Sequence, residues 1–128
     1  MAKIAKELQI QTDNKPGTLA RAAGCIKEAD VSIQGVSAWG DGGKSNLYVI
    51  TENNTKAGES LRKGGFTFTE QEVVTCELPH QVGSLAECAQ KISQAGVNID
   101  HCYVTATGPK SLWVLATNNN QKAVGCCP

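Results

Sequence analysis

Sliding the chain against itself by 66 residues aligns positions 8–62 with 74–128 without a gap. Sixteen of those 55 pairs are identical, against roughly three expected from composition alone. The chain is therefore one small unit built twice, and any fold proposed for it must serve both copies. Gly17, Leu19, Ala20, Ala23, Ile26, Ala29, Val31 and Ile33 meet Gly83, Leu85, Ala86, Ala89, Ile92, Ala95, Val97 and Ile99. Further on, Thr51, Asn53, Asn54, Lys56 and Ala57 meet Thr117, Asn119, Asn120, Lys122 and Ala123.

Each unit opens on a strand pattern. Leu8, Ile10 and Thr12, or Val74, Cys76 and Leu78, recur at period two, with Gln9 and Gln11, or Thr75 and Glu77, between them. A helix follows, with a stripe of Leu19, Ala22, Ala23, Ile26 and Ala29, repeated as Leu85, Cys88, Ala89, Ile92 and Ala95. Ser84 and Glu87 have the spacing of a capping box at the start of the second copy. Strand two is expected over 31–39 and 97–106, and strand three over 45–51 and 111–117. The Gly-rich turns Gly40-Asp41-Gly42-Gly43 and Thr107-Gly108-Pro109 join them as hairpins. Strand three is apolar on both faces, which suits a central position in the sheet. A second helix covers about 56–63, and Phe66-Thr67-Phe68-Thr69 makes a fourth strand leading almost directly into the second unit. The pattern is βαββαβ: an α+β fold with antiparallel sheets and helices on one face. The expected units are 1–71 and 72–128. Pro128 aligns with Arg62, so the second unit lacks its fourth strand. Its end is expected to be frayed or completed by another chain.

The stretch Asp13-Asn14-Lys15-Pro16-Gly17-Thr18 lies between strand one and the first helix. Pro16 fixes φ, and Gly17 lets the backbone turn sharply and expose its amides. The helix start then presents unsatisfied N–H groups and a partly positive end, a design that holds a small carboxylate or phosphate. The same residues also serve as a plain strand-to-helix turn.

Composition closes off several function classes. Twelve basic residues balance twelve acidic ones, and neither half forms a basic platform for nucleic acid or an anionic membrane. No apolar run approaches the roughly 20 residues of a membrane span. The N-terminus places charges where a signal peptide needs its apolar region, so the chain is expected in the cytoplasm. Its six cysteines then read as thiols, mostly small buried hydrophobes, since none forms a C-x-x-C. The density of Cys and His in the second unit (Cys76, His80, Cys88, His101, Cys102, Cys126, Cys127) keeps a metal or redox role as an alternative, although no metal-ligand spacing is present. RNA-recognition modules share the βαββαβ order, but the few aromatics here form no RNP-like segment. No nucleophile–base pair or nucleotide loop is recognisable, so no catalysis and no cofactor are expected.

With the repeat and the loop in hand, the chain resembles the ACT domain family of small amino-acid-binding regulatory modules. The residues that carry the resemblance are Asn14-Lys15-Pro16-Gly17-Thr18-Leu19-Ala20 with Ala29-Asp30-Val31-Ser32-Ile33, and Val82-Gly83-Ser84-Leu85-Ala86 with Gln94-Ala95-Gly96-Val97-Asn98-Ile99-Asp100. Val82 stands where the first copy has proline. The resemblance implies ferredoxin-like units paired into a continuous sheet, with an amino acid held where ACT units meet. It assigns ligand contacts to Asn14, Lys15, Pro16, Gly17, Thr18 and Leu19, and to the second loop from Pro79 through His80, Gln81, Val82, Gly83, Ser84 and Leu85. Asn98 and Asp100, with Ser32 and Gln34 by repeat alignment, would add polar contacts from strand two. Loop N–H groups would take the ligand carboxylate, and Asp100 or Asp13 its ammonium. The expected partners are an amino acid or similar small carboxylate, a second copy of the chain, and a regulated enzyme or regulator; nucleic acid and membrane are not expected. The homodimer rests on apolar residues, Tyr48, Ile50 and Val114, on the sheet face away from the helices. A protein–protein scaffold is the other alternative function.

Overall fold

The structure, a computed structural model, describes residues 2–127. Met1 and Pro128, the outer bounds of the two expected units, lie outside the described residues. The elements run β1 (Ala2–Asp13), α1 (Thr18–Glu28), β2 (Ile33–Asp41), β3 (Lys44–Thr51), α2 (Asn54–Lys63), β4 (Phe68–Pro79), α3 (Ser84–Gln94), β5 (Ile99–Thr107), β6 (Lys110–Thr117) and α4 (Asn120–Cys126). The fold is α+β in two ferredoxin-like units. Among the described residues, no helix is long and apolar enough to cross a membrane.

In the first unit, residues 6–71, β3 lies between β2 and β1, and the opening residues of β4 flank β1 on its other side. Antiparallel register sets Leu8 opposite Val49 and Ile10 opposite Leu47, and these four side chains form the floor of the core. Ala22 and Ile26 of α1, Ala57 and Leu61 of α2, and Phe66 close over that floor. Gln9 and Gln11 alternate to the other face opposite Tyr48 and Asn46, as a period of two requires. Burying a Leu or Ile side chain contributes roughly 1.5–3 kcal/mol, so this layer accounts for why the helices form at all.

The second unit comprises 72–127 together with residues 2–5. Here β6 lies between β5 and β4, and the start of β1 takes the place beside β4. Val74, Cys76, Leu78, Cys88, Ile92, Val97, Trp113, Leu115 and Ala123 form its core, with Ala2 and Ile4 packed against it. No strand follows α4 among the described residues. The place beside β4, expected to be left frayed or completed by another chain, is taken by the chain's own first residues.

Four further expectations need correction. Residues 68–79 form one strand, whereas a short fourth strand over 66–69 and a separate strand from Val74 were expected; no Gly or Pro interrupts this run, so nothing breaks it. Ser84 and Glu87 do not form a capping box. Gly83 occupies the N-cap in the left-handed region, which puts Ser84 inside the helix, one position too late to cap it. Leu19 and Leu85 leave the core stripe: each is about half exposed, beside the exposed loop that enters its helix. Ile50 and Val114 are buried and Tyr48 is half-buried, so these residues do not form the exposed apolar surface on which the homodimer expectation rested.

The Asn pairs repeat one network in both units. Asn53 caps α2 by accepting from the Lys56 N–H at 3.1 Å, and Asn119 caps α4 through Lys122 at 3.1 Å. Next to each cap, Asn54 accepts from the Thr51 hydroxyl at 2.6 Å and donates to the Lys6 carbonyl at 2.9 Å. Asn120 does the same with Thr117 at 2.7 Å and Glu72 at 3.0 Å. These bonds tie each second helix to the end of one strand and to the middle of another.

Candidate functional site

Both helices that follow a first strand are entered in the same way. Gly17 has φ +88° and Gly83 φ +89°, values that L side chains rarely adopt, and neither helix has a side-chain cap. In the first unit the Thr18 N–H bonds back to the Lys15 carbonyl, and the Arg21 N–H reaches Gly17. The Leu19 and Ala20 N–H groups between them have no protein acceptor among the described residues. The second unit matches: the Ser84 N–H turns back to Gln81, the Glu87 N–H to Gly83, and the N–H groups of Leu85 and Ala86 remain open. Two N–H groups at a helix start, with the positive end of the helix dipole behind them, attract a carboxylate.

The expected contact residues divide by role. Lys15, Pro16, Gly17 and Leu19 are exposed around the first helix start, as are Gln81, Val82, Gly83 and Leu85 around the second. Thr18 is buried; its hydroxyl lies 2.9 Å from the Lys15 carbonyl and 3.0 Å from that of Asp13, so it shapes the loop and does not face a ligand. Asn14 and His80, equivalent in the repeat, both fasten the neighbouring hairpin. Asn14 donates from its N–H to Gly43 at 3.0 Å and from Nδ2 to the Gly42 carbonyl at 3.1 Å. The His80 N–H donates to Pro109 at 2.8 Å, and its Nδ1 lies 3.1 Å from the Gly108 carbonyl. Gly40 belongs to this arrangement, because a Cβ there would lie 2.5 Å from Asn14 Nδ2.

Asn98 and Asp100 are not brought to the loop of their own unit. They lie at the start of β5, whereas the other end of β5, through Thr107 and Lys110, adjoins Pro79 and the loop. Asn98 Nδ2 donates to Asp100 Oδ1 at 2.9 Å, and the Asn98 N–H is held by Asn118 Oδ1 at 3.0 Å. At the matching place in the first unit, the Ser32 N–H is held by Glu52 Oε1 at 3.0 Å.

An open pocket of about 380 Å³ lies beside Ser32, between the end of α1 and the start of β2. Ala23, Ile26, Val31 and Ile33 give it apolar walls, and Lys27, Asp30 and Glu52 give it charges of both signs. Lys27, Asp30 and Glu52 were absent from the sequence-derived set. Lys27 and Asp30 are neighbours at the end of α1, and Glu52, more than twenty residues on, meets them only through the fold. The signal available was the charged rim around Val31 and Ser32, which no period or motif marks. A second pocket of about 320 Å³, on the sheet face, is lined by Gln9, Gln11, Asn46, Tyr48 and Phe68 with Thr67 and Thr69. Among the described residues, no three His, Cys, Asp or Glu side chains gather as a metal site.

Comparison with known proteins places this geometry. Residues 3–126 match the family of the ACT domain pair. A solved protein from Bacteroides thetaiotaomicron shares 24% identity with a TM-score of 0.91, over 98% of this chain and 87% of that one. The ligand-free regulatory subunit of aspartate kinase from Thermus thermophilus is similar at a TM-score of 0.71 and 12% identity, over 98% of this chain and 93% of that one. Aspartokinase III of E. coli, in complex with lysine and aspartate in its T-state, has a TM-score of 0.57 at 11% identity; the match covers 96% of this chain and 30% of that one. A comparison with curated proteins finds no match. At these identities the solved structures speak for the fold, and the family follows from the match along nearly the whole sequence. This chain belongs to the ACT domain pair family.

Proposed function

We propose that the protein is a non-catalytic regulatory module that binds an amino acid, or a similar small carboxylate, and passes its ligand state to a partner. The observation that carries this reading is the pair of uncapped helix starts behind Gly17 and Gly83, each with two N–H groups that have no acceptor among the described residues. These groups suit the carboxylate, and the exposed loop residues Asn14, Lys15, Pro16, Gly17 and Leu19, or His80, Gln81, Val82, Gly83 and Leu85, surround it; Thr18 and Ser84 set the turn. The ammonium needs an acidic partner, which the strand-two region offers in Asp30 and Glu52 of one unit and Asp100 of the other. Within a unit those residues lie at the far end of strand two from the loop. The reading therefore completes the site with a second copy of the chain. Half-exposed Leu19 and Leu85, with Val36, Trp39 and Val104 on the edge strands, support that association. The regulatory role follows the family, and the ligand class is supported by the lysine and aspartate of the aspartokinase complex.

The test is a thermal-shift screen of the twenty amino acids at millimolar concentration. A ligand at 100 times its dissociation constant stabilises the fold by about 2.7 kcal/mol, a shift of several degrees in a domain this small. One hit, or a few related ones, is expected, with the shift diminished in Gly17→Ala, whose Cβ meets no neighbour but strains the φ +88° turn. No shift with any amino acid sinks the reading and favours a protein–protein scaffold.

A further inference from the structure

Three thiols meet in the core of the second unit. Cys88 Sγ, in the second turn of α3, lies 3.2 Å from Cys127 Sγ, just past the end of α4. Cys76 on β4 belongs with Cys88 to the apolar cluster that Cys127 borders. The repeat supplies an internal comparison. The equivalent positions in the first unit are Ile10, Ala22 and Leu61, all buried in its core. Trp113 replaces Leu47 and takes up volume, so small residues suit positions 76 and 127. Size alone would admit alanine, serine or valine, yet all three positions carry sulfur. Two of the thiols are already within one disulfide-forming step of each other, on elements 39 residues apart. In the structure all six cysteines are free thiols.

We propose that Cys88 and Cys127 form a redox-active dithiol, closed to an intramolecular disulfide by a small-molecule disulfide oxidant such as oxidised glutathione. Cys127 is half-buried and Cys88 buried, so Cys127 reacts first. It loses its proton, and its sulfur attacks one sulfur of the oxidant, breaking the oxidant's S–S bond. One glutathione leaves as thiolate and takes up a proton. Cys88 then loses its proton and attacks the Cys127 sulfur of the mixed disulfide, forming the intramolecular S–S bond and releasing the second glutathione. Two protein thiols are oxidised by two electrons, and one disulfide is reduced to two thiols. Burial holds Cys127 up at about 12 and Cys76 at about 11, and raises Cys88, so the exchange is slow at neutral pH and speeds up in alkali. The disulfide fastens the end of α4 to α3, the helix whose uncapped start is the second candidate loop, and so gives that loop a redox-dependent anchor.

The experiment treats the full chain with oxidised glutathione, quenches with acid, denatures, and alkylates the remaining thiols with N-ethylmaleimide. Intact mass counts the alkylated thiols, and digestion after Glu87, Lys91 and Lys122 separates Cys88 from Cys102 and from the fragment that holds Cys126 and Cys127. The expected result is four alkylated thiols in place of six, with fragment 88–91 joined to 123–128. Cys127→Ser should abolish that link, while Cys126→Ser and Cys76→Ser retain it. The oxidised protein should melt at a higher temperature than the reduced one, and dithiothreitol should reverse the difference. A link from Cys76, glutathione adducts without a link, or six alkylated thiols under excess oxidant each overturns the proposal. Tandem mass spectrometry of the linked fragment from the unsubstituted chain, which assigns the bonded sulfur to Cys126 or to Cys127, decides the matter even where a variant does not fold.

Discussion

Asp30 is the one non-glycine residue with a positive φ, at 57°, among the described residues, and its repeat partner is Gly96 at 77°. Both close a helix with the same pair of bonds. The Asp30 N–H reaches Lys27 at 2.9 Å and Val31 reaches Ile26 at 3.4 Å; Gly96 reaches Ser93 at 2.9 Å and Val97 reaches Ile92 at 3.2 Å. Asp tolerates the left-handed region better than most residues, but an added Cβ there still costs about 1–2 kcal/mol relative to glycine. Gly96→Ala should therefore lower stability by about 1–2 kcal/mol in urea unfolding, while Asp30→Gly should leave it unchanged or raise it by up to about 1 kcal/mol. A Gly96→Ala protein as stable as the parent would show that the turn relaxes. Asn54 and Asn120 invite a second comparison, since each holds a threonine and a neighbouring strand carbonyl. Asn54→Ala leaves the Thr51 and Lys6 groups without that partner and should cost about 2–3 kcal/mol, with Asn120→Ala costing a similar amount. Both asparagines stood out in the sequence as identities between the copies, but only the fold reveals what they hold.

At the level of the elements, the hydrophobic period was sufficient to place strands and helices, because each buried face repeats at two or at three and four. The ends were less legible. Leu19 and Leu85 share the apolar stripe of their helices yet reach past the covered core, and β4 runs through what the repeat alone divides in two. The candidate loops were readable from Pro16, Gly17 and Gly83, whereas Glu52 meets Lys27 and Asp30 only once the chain has folded. Sulfur in the second core adds a pH dependence of its own. An unfolded thiol titrates at its ordinary value of 9.0, while burial holds Cys127 up at about 12 and Cys76 at about 11. Above pH 9 the unfolded chain loses protons that the folded chain keeps, so these thiols contribute their full stability below that pH and lose it progressively as pH climbs toward 11 and 12. Under reducing conditions, urea unfolding on either side of pH 9 should show this alkaline loss, and it should be shallower in Cys76→Ala/Cys127→Ala, whatever that variant's absolute stability. An equal slope in both proteins would show that these two thiols are not its source.

For the molecule as a whole, the repeat hides a dependence that runs from one end of the sequence to the other. Read in order, the second unit stops after α4 with three strands. In space it takes residues 2–5 as the strand beside β4, and Ala2 and Ile4 rest on its core of Val74, Cys76 and Trp113. Sequence alone could not show this, because the run from Ala2 to Asp13 carries no break and reads as a single strand of the first unit. The second unit is therefore complete only once the N-terminal residues have returned to it. Closing so long a loop costs more entropy than pairing neighbours in sequence, and the packing of Ala2 and Ile4 on the core offsets that cost. Ile4 is half-buried, so Ile4→Ala should cost about 1–2 kcal/mol, below the range for a fully buried isoleucine. Hydrogen exchange locates the effect: amides of β4 in the 72–79 stretch, and of α4, should exchange faster, because they border the place that Ile4 occupies. Unchanged exchange over 72–127, with the loss of protection confined to 6–71, would show that the opening residues serve the first unit and that the second is held together without them.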